Sequence, residues 1–399
     1  MINKIKFFAL FFALFANLNG FSQQKGSGLN AGELFTGEVN TITTAVPFLL
    51  IAPDSRSGAM GDVGAATEPD VNSMHWNTAK YAFIEKDMAV SLTYTPWLRK
   101  LINDINLAYL TAYKKISKKQ TVSASLLYFS LGDITFTDDN AQTLGQFSPN
   151  EFALDVAYSR LFGNKISGGI AFRYIRSDLT NGQNVTSVGQ THAGNAYAAD
   201  VSAYYRDDKI KIDGRNAILG IGLVFSNIGS KISYSDNSDK DFIPANMRFG
   251  LSLKMDLDNY NTIAIAGDVN KLLVPTPPVY DSTGTRVIAG KTNDVSVSTG
   301  IFQSFNDAPG GSQEELNELS YSVGLEYWYA KQFAIRGGYF YEHPTKGNRQ
   351  YFTLGLGLKM NVFGIDFAYL IPTKQNNPLE NTLRFTLSFD LGNKEAKKE

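Results

Sequence analysis

The sequence predicts an all-β chain, a 14-stranded antiparallel transmembrane β-barrel with an N-terminal plug in its lumen. Three observations predict it. Segments of about ten residues alternate apolar and polar side chains more than a dozen times after residue 85, the period-two pattern of strands with one oily and one wet face. Charged residues stand mid-segment on the polar face, where a packed sandwich core rejects them and a lumen accepts them. Beyond residue 22 no run of about 18 apolar residues offers a membrane helix. The slightly polar mean hydropathy fits, because lumen-facing polar residues cancel lipid-facing apolar ones.

The first element is a secretory signal peptide over residues 1–22. Lys4 and Lys6 precede the apolar run 7–16, and Gly20-Phe21-Ser22 supplies small residues at a cleavage site. The competing reading of this run is a buried helix of the mature fold. Loss of the two lysines leaves 35 Lys and Arg against 38 Asp and Glu, a net charge near −3. That balance gives no basic surface for nucleic acid. The chain has no cysteine, so an exported fold must rest on something larger than a disulfide framework.

Residues 23–85 form the second element. They are rich in Gly, Ala, Asn and Thr, carry Pro47, Pro53 and Pro69, and lack sustained alternation, as a lumen plug would. The barrel follows over 86–392. Its clearest strand is its last, where Leu383, Phe385, Leu387, Phe389 and Leu391 alternate with Arg384, Thr386, Ser388 and Asp390. Fifteen runs read as strands: 86–95, 104–114, 120–131, 150–162, 165–177, 197–206, 217–226, 246–256, 261–270, 294–303, 319–329, 332–342, 350–360, 363–371 and 380–391. An even count keeps both chain ends in the periplasm. Tight turns near 114–120, 162–165, 256–261, 329–332 and 360–363 all fall on one side only if 294–303 is not a strand. Val297, Ile301, Phe302 and Phe305 stand there at helical spacing. Reading it as helix leaves 14 strands and one long extracellular excursion, 271–318. Aromatic residues near strand ends, Tyr94, Tyr109, Tyr113, Tyr158, Tyr204 and Tyr329 among them, suggest two interfacial girdles. Residues 393–399 read as a charged periplasmic tail.

Two stretches of the plug carry a resemblance. One is Ser55-Arg56-Ser57-Gly58-Ala59-Met60-Gly61-Asp62-Val63-Gly64-Ala65-Ala66; the other is Asn72-Ser73-Met74-His75-Trp76-Asn77-Thr78-Ala79-Lys80. Together they resemble the amino-terminal hatch of the FadL-type outer-membrane barrels, with Thr78 where many relatives have proline. Pro53-Asp54-Ser55-Arg56 and His75-Trp76-Asn77 are closer to the PorV (LptO-like) family, the FadL-related barrels of the Bacteroidota type IX secretion system. Residues 304–311, Ser-Phe-Asn-Asp-Ala-Pro-Gly-Gly, are a second match in the excursion. With the strand layout, the resemblance covers nearly all of the mature chain. It implies a Gram-negative outer-membrane protein with no catalytic chemistry and no cofactor. Such a protein receives secreted cargo by its C-terminal domain at the SprA-type translocon barrel and passes it to attachment proteins such as PorU.

Candidate residues follow in two groups. In the plug, Arg56, Asp62, His75, Trp76 and Asn77 are either a ligand gate or anchors of the plug; Arg56 and Asp62 would then meet inward charges such as Arg173, Lys254 or Glu326. The anchor reading fits better, because a Gly-rich plug must satisfy many backbone groups. In the excursion, Pro275, Pro277, Ile301, Phe302 and Phe305 suggest a docking surface for partner or cargo proteins, or else a self-packed lid. Gly168-Gly169 and Gly337-Gly338 either make room for the plug or mark a lateral gap.

Enzyme readings fare poorly. The histidines are His75, His192 and His343, no serine sits in G-x-S-x-G, and thiolate chemistry has no cysteine to use. Asp236, Ser238 and Lys240 start like a calcium loop, but Asp241 stands where the loop needs Gly and Met247 where it needs Glu, so no metal site is expected; the alternative is weak surface Ca²⁺ binding by Asp236, Asp239 and Asp241. The alternative function is a FadL-type transporter of hydrophobic small molecules. A diffusion porin is disfavoured, since residues 23–85 would block the lumen.

Overall fold

The computed structural model describes residues 39–392 except 101, 103, 138–142, 183, 186–188, 237–239, 375 and 376. The signal-peptide reading, the plug's first residues, Asp239 and the charged tail lie outside the described residues. Strands β1 (Met88–Pro96), β2 (Ile105–Ser117), β3 (Gln120–Leu131), β4 (Asn150–Phe162), β5 (Ile166–Asp178), β6 (Gly194–Ile212) and β7 (Arg215–Gly229) build one half of the wall. The other half is β8 (Asn246–Asp256), β9 (Asn261–Leu272), β10 (Ser320–Tyr329), β11 (Phe333–Tyr341), β12 (Gln350–Lys359), β13 (Phe363–Pro372) and β14 (Leu383–Asp390). Among the described residues these 14 form one closed antiparallel barrel, each strand pairing with its sequence neighbours in the wall. The seam joins β1 to β14, from Ala89 opposite Asp390 to Tyr94 opposite Phe385.

The alternation places side chains as period two requires. On β14, Phe385, Leu387, Phe389 and the following Leu391 are exposed on the outer wall, while Arg384 and Thr386 are buried in the lumen. Closure leaves no free sheet edge, so every wall strand has its ladder satisfied within the membrane. The run 294–303 is not a wall strand: Val297–Gln303 is a helix whose N-cap Ser296 side chain accepts from Thr299 N.

Aromatic residues divide between outer wall and lumen. Tyr94, Tyr128 and Tyr197 stand exposed toward the loop-side end of their strands, and Tyr158, Phe162, Tyr329 and Phe333 toward the turn side. Tyr109, Tyr113 and Tyr204 do not belong to a girdle: all three point inward and are buried. Their register parity, two residues from inward Thr111 and Ser202, decides this.

Residues 46–84 occupy the lumen. Val46, Phe48 and Leu49 pack near its loop end with Leu107, Phe129, Ile175 and Ile243. Tyr81 and Ile84 pack near its turn end with Ala89, Tyr113 and Ala157. The plug backbone comes close to several wall glycines, among them one of each glycine pair singled out in the sequence. A Cβ on Gly338 would collide with the Met60–Gly61 peptide, and one on Gly169 with Thr78 and Ala79.

Candidate functional site

Two short helices and a 3-10 segment set the lumen side chains. Asp54 caps helix α1 (Ser55–Gly58) by accepting from Ser57 N at 3.0 Å. Helix α2 (Ser73–Trp76) follows, and Asn77 then caps the 3-10 segment Thr78–Phe83 through Ala79 N at 3.0 Å. The second side of Asn77 donates to the carbonyls of Ala65 at 2.8 Å and Ala203 at 3.1 Å, tying plug to β6.

Arg56 is the strongest link between plug and wall. Its guanidinium forks onto both Glu326 oxygens at 2.9 Å and reaches Asp70 at 2.8 Å. Glu326 also accepts from Arg336 at 2.7 Å, and Arg336 donates to Asp366 at 2.6 Å. An alternating row, Asp70–Arg56–Glu326–Arg336–Asp366, therefore runs from the plug across β10, β11 and β13. Each charge has an opposite neighbour, which makes burial tolerable.

Asp62 departs from expectation. Among the described residues it makes no ion pair; its Oδ2 accepts from the Tyr351 hydroxyl at 2.5 Å, and its carbonyl from Arg248 at 3.4 Å. Arg173 instead pairs within the wall, with Asp155 at 2.6 Å and Asp200 at 3.2 Å, while Lys254 lies 3.8 Å from Glu68. Trp76 donates to Asp54 at 2.5 Å and lies under the Arg248 guanidinium, 4.5 Å from the ring centroid. His75 packs edge-on against Trp76 and Tyr109. These five side chains fasten the plug and form no nucleophile–base pair.

Three lumen residues were not singled out by the sequence reading. Lys80 is buried, with Nζ donating to Gly64 O at 2.8 Å and Thr67 Oγ1 at 3.0 Å. Asp54, also buried, accepts from Trp76 Nε1 at 2.5 Å and Ser57 N at 3.0 Å. Asp268 of β9 accepts the amides of Gly64 at 2.8 Å and Ala65 at 2.9 Å. A lone lysine closing a Gly/Ala-rich segment was the available signal for Lys80.

The loop-side mouth is covered by the excursion. Helices α3 (Val297–Gln303) and α4 (Ser312–Asn317) lie within it. Lys271 of β9 binds Glu315 at 3.0 Å and Glu318 at 2.6 Å, and Lys346 binds Glu314 at 2.5 Å and Glu318 at 3.0 Å. The expected docking residues divide here instead of sharing one face. Ile301 packs toward Ala245, Leu273 and Val274, and Pro275 is buried against Gly300. Pro277 is half-buried, its carbonyl accepting from Asn40 at 3.2 Å. Phe302 and Phe305 face outward, 79% and 48% exposed. Beneath them, between plug and loops, is a cavity of about 70 Å³ lined by Asp62, Trp76, Arg248, Glu318, Lys346 and Arg349.

Neither loop histidine builds a reactive centre. Glu342, beside His343, is bound by Arg349 at 2.9 Å, and His192 stands 3.6 Å from exposed Asp236. Among the described residues no three His, Cys, Asp or Glu side chains could hold a metal ion.

A closed 14-stranded antiparallel barrel with its own chain lodged in the lumen defines the class: an outer-membrane-type β-barrel with a plugged lumen. The chain belongs to the PorV family: the family described as "Type IX secretion system protein PorV" matches residues 35–279, more than half the sequence. It is thus an outer-membrane member of a type IX secretion family. Similar solved structures include the toluene transporter TbuX of Ralstonia pickettii, at 10% identity and TM-score 0.44, covering 84% of this chain and 97% of that one. The toluene transporter TodX of Pseudomonas putida has 11% identity and TM-score 0.46, with coverages of 88% and 98%. A FadL homologue of Pseudomonas aeruginosa has 10% identity and TM-score 0.43, with coverages of 88% and 99%. No curated protein sequence matches the chain.

Proposed function

We propose that this protein is a non-enzymatic type IX secretion component. In this reading it binds the C-terminal domains of cargo at an SprA-type translocon and hands cargo to attachment proteins such as PorU. The observation that carries the reading is the display of Phe302 and Phe305. Two large apolar side chains point into water from a segment that buried ion pairs hold over the mouth. Exposed aromatic side chains on a rigid support are what a protein-docking patch offers. Cargo and partner barrel would meet the chain there, beside the lipid-facing wall.

The test is the double substitution Phe302→Ser with Phe305→Ser. If the pair is a hot spot worth about 2 kcal/mol or more, capture of cargo from native outer membranes weakens roughly thirtyfold. Heat-modifiable migration of the barrel should stay unchanged. Undiminished co-purification of cargo and translocon would sink the docking reading. Transport of small hydrophobic molecules has weaker support, because ligand pockets usually span about 300–1,000 Å³. The space above the plug is about 70 Å³.

A further inference from the structure

The outer wall carries a dent at its turn-side end. Register makes its origin plain. One outward row crosses β1 to β4 as Leu92, Leu110, Leu126 and Leu154, four projecting leucines. The next row toward the turns is Val90, Ala112, Ala124 and Val156. The row after that is Met88, Lys114, Val122 and Tyr158. Two alanines side by side, framed by leucines above and valines at either end, leave a hollow of about 470 Å³. Its lining is apolar except at the Lys114 rim.

Below the dent the chain turns through Lys118 and Lys119, and Arg160 stands exposed beside Gln120 on β4. Among the described residues none of Lys114, Lys118, Lys119 and Arg160 forms an ion pair, and all four are exposed. The acids at this end are the exposed Glu85 and Asp87, while Asp390 lies near Lys86 at 3.8 Å and Lys359 at 3.7 Å. Cations exceed acids here, whereas the turn between β8 and β9 carries Asp256 and Asp258. Elsewhere at this end Lys165 and Lys359 lie beside Asp207 and Asp390, whereas the four cations at the dent have no acid partner among the described residues.

We propose that the dent binds an anionic glycerophospholipid of the periplasmic leaflet. One acyl chain lies over Ala112 and Ala124, below the leucine row. The phosphate meets Lys114, which reaches past its own apolar stem toward the interface, with Lys118 and Lys119 next along the chain. An apolar seat with unpaired cations at its headgroup-side rim matches that amphiphile at both ends. A partner protein wall would have to match the same cations with acids inside the bilayer edge, where such charges are costly.

The experiment uses the full barrel in nanodiscs of phosphatidylglycerol and phosphatidylethanolamine in equal parts. Lipid retained after mild detergent extraction is then quantified by native mass spectrometry. The native chain should retain phosphatidylglycerol at least about fivefold over phosphatidylethanolamine, since one interfacial cation is worth about that factor. The triple substitution K114Q, K118Q and K119Q should abolish the preference, and A112L with A124L should lower retention of both lipids by filling the seat. No preference in the native chain, or a preference that survives the triple change, overturns the proposal. So does an A112L/A124L barrel that keeps its lipid but loses a membrane protein partner, which would make the dent a protein seat. The lysine changes sit on exposed positions, so they decide the matter even if the leucine pair disturbs folding.

Discussion

Lys80 is the most enclosed lysine among the described residues. It is lodged among Gly64, Thr67 and the plug backbone, with no carboxylate within ion-pair distance among the described residues. Its ammonium is tolerated there because Gly64 O and Thr67 Oγ1 accept from it. Lys80→Met removes both bonds and takes that donor from the buried Gly64 carbonyl, at a cost of about 2 kcal/mol. Amide protection at Gly64 and Ala65 should then fall roughly thirtyfold, read by hydrogen exchange. Native protection in the variant would remove Lys80 as the brace of that segment. At this scale the sequence was half legible. Arg56 and Glu326 could be paired in advance because both are charges with no apolar alternative inside a lumen. Asp62 could not, since a phenol such as Tyr351 gives no charge signal in a sequence full of tyrosines.

Strands and turns were the most legible elements, because period two is a strict geometric rule and a wall strand must obey it end to end. The excursion was legible only as a helix. Ile301 and Phe302 are adjacent, so a helix turns them about 100° apart, and no sequence pattern says which one meets Leu273 and Val274. What fixes the orientation is the clamp on α4, built from Lys271 and Lys346 at one end and Glu314, Glu315 and Glu318 at the other. Removing one member of a buried pair strands its partner at a cost of about 3 kcal/mol. Lys346→Met leaves Glu314 without its lysine and Glu318 with Lys271 alone. Opening of 312–318 should become about a hundredfold more frequent, read as faster limited proteolysis within the excursion. The barrel's heat-modifiable migration should not change. Cleavage at the native rate would mean that Ile301 and Pro275, not the ion pairs, hold the lid.

At the scale of the whole molecule, the N-terminal segment runs through the barrel from one end to the other. Asn40 N donates to Thr345 O at 2.9 Å and its side chain to Glu314 at 2.9 Å, both among the long loops. Ala45 N donates to Phe242 O at 3.0 Å, still at that end. Ile84 accepts from Lys115 at 2.7 Å beside the tight turns, and β1 starts there. Long loops of bacterial barrels face outward and tight turns face the periplasm. Residue 39 therefore lies at the loop end of the barrel and residue 392 at the turn end, and by that rule we expect the two ends of the described chain on opposite sides of the membrane. Period two places both ends of the wall at the turn side, but it is silent about a segment without alternation, so this crossing was not legible in sequence. An epitope inserted directly ahead of Val39 should bind antibody on intact cells, and one placed after Gly392 should bind only after permeabilisation. Val39 is 77% exposed, so the insertion disturbs little. Silence of the first epitope on intact cells, with the barrel present and folded, would mean that the plug enters from the periplasm, and the loop-side placement of Asn40 would be wrong.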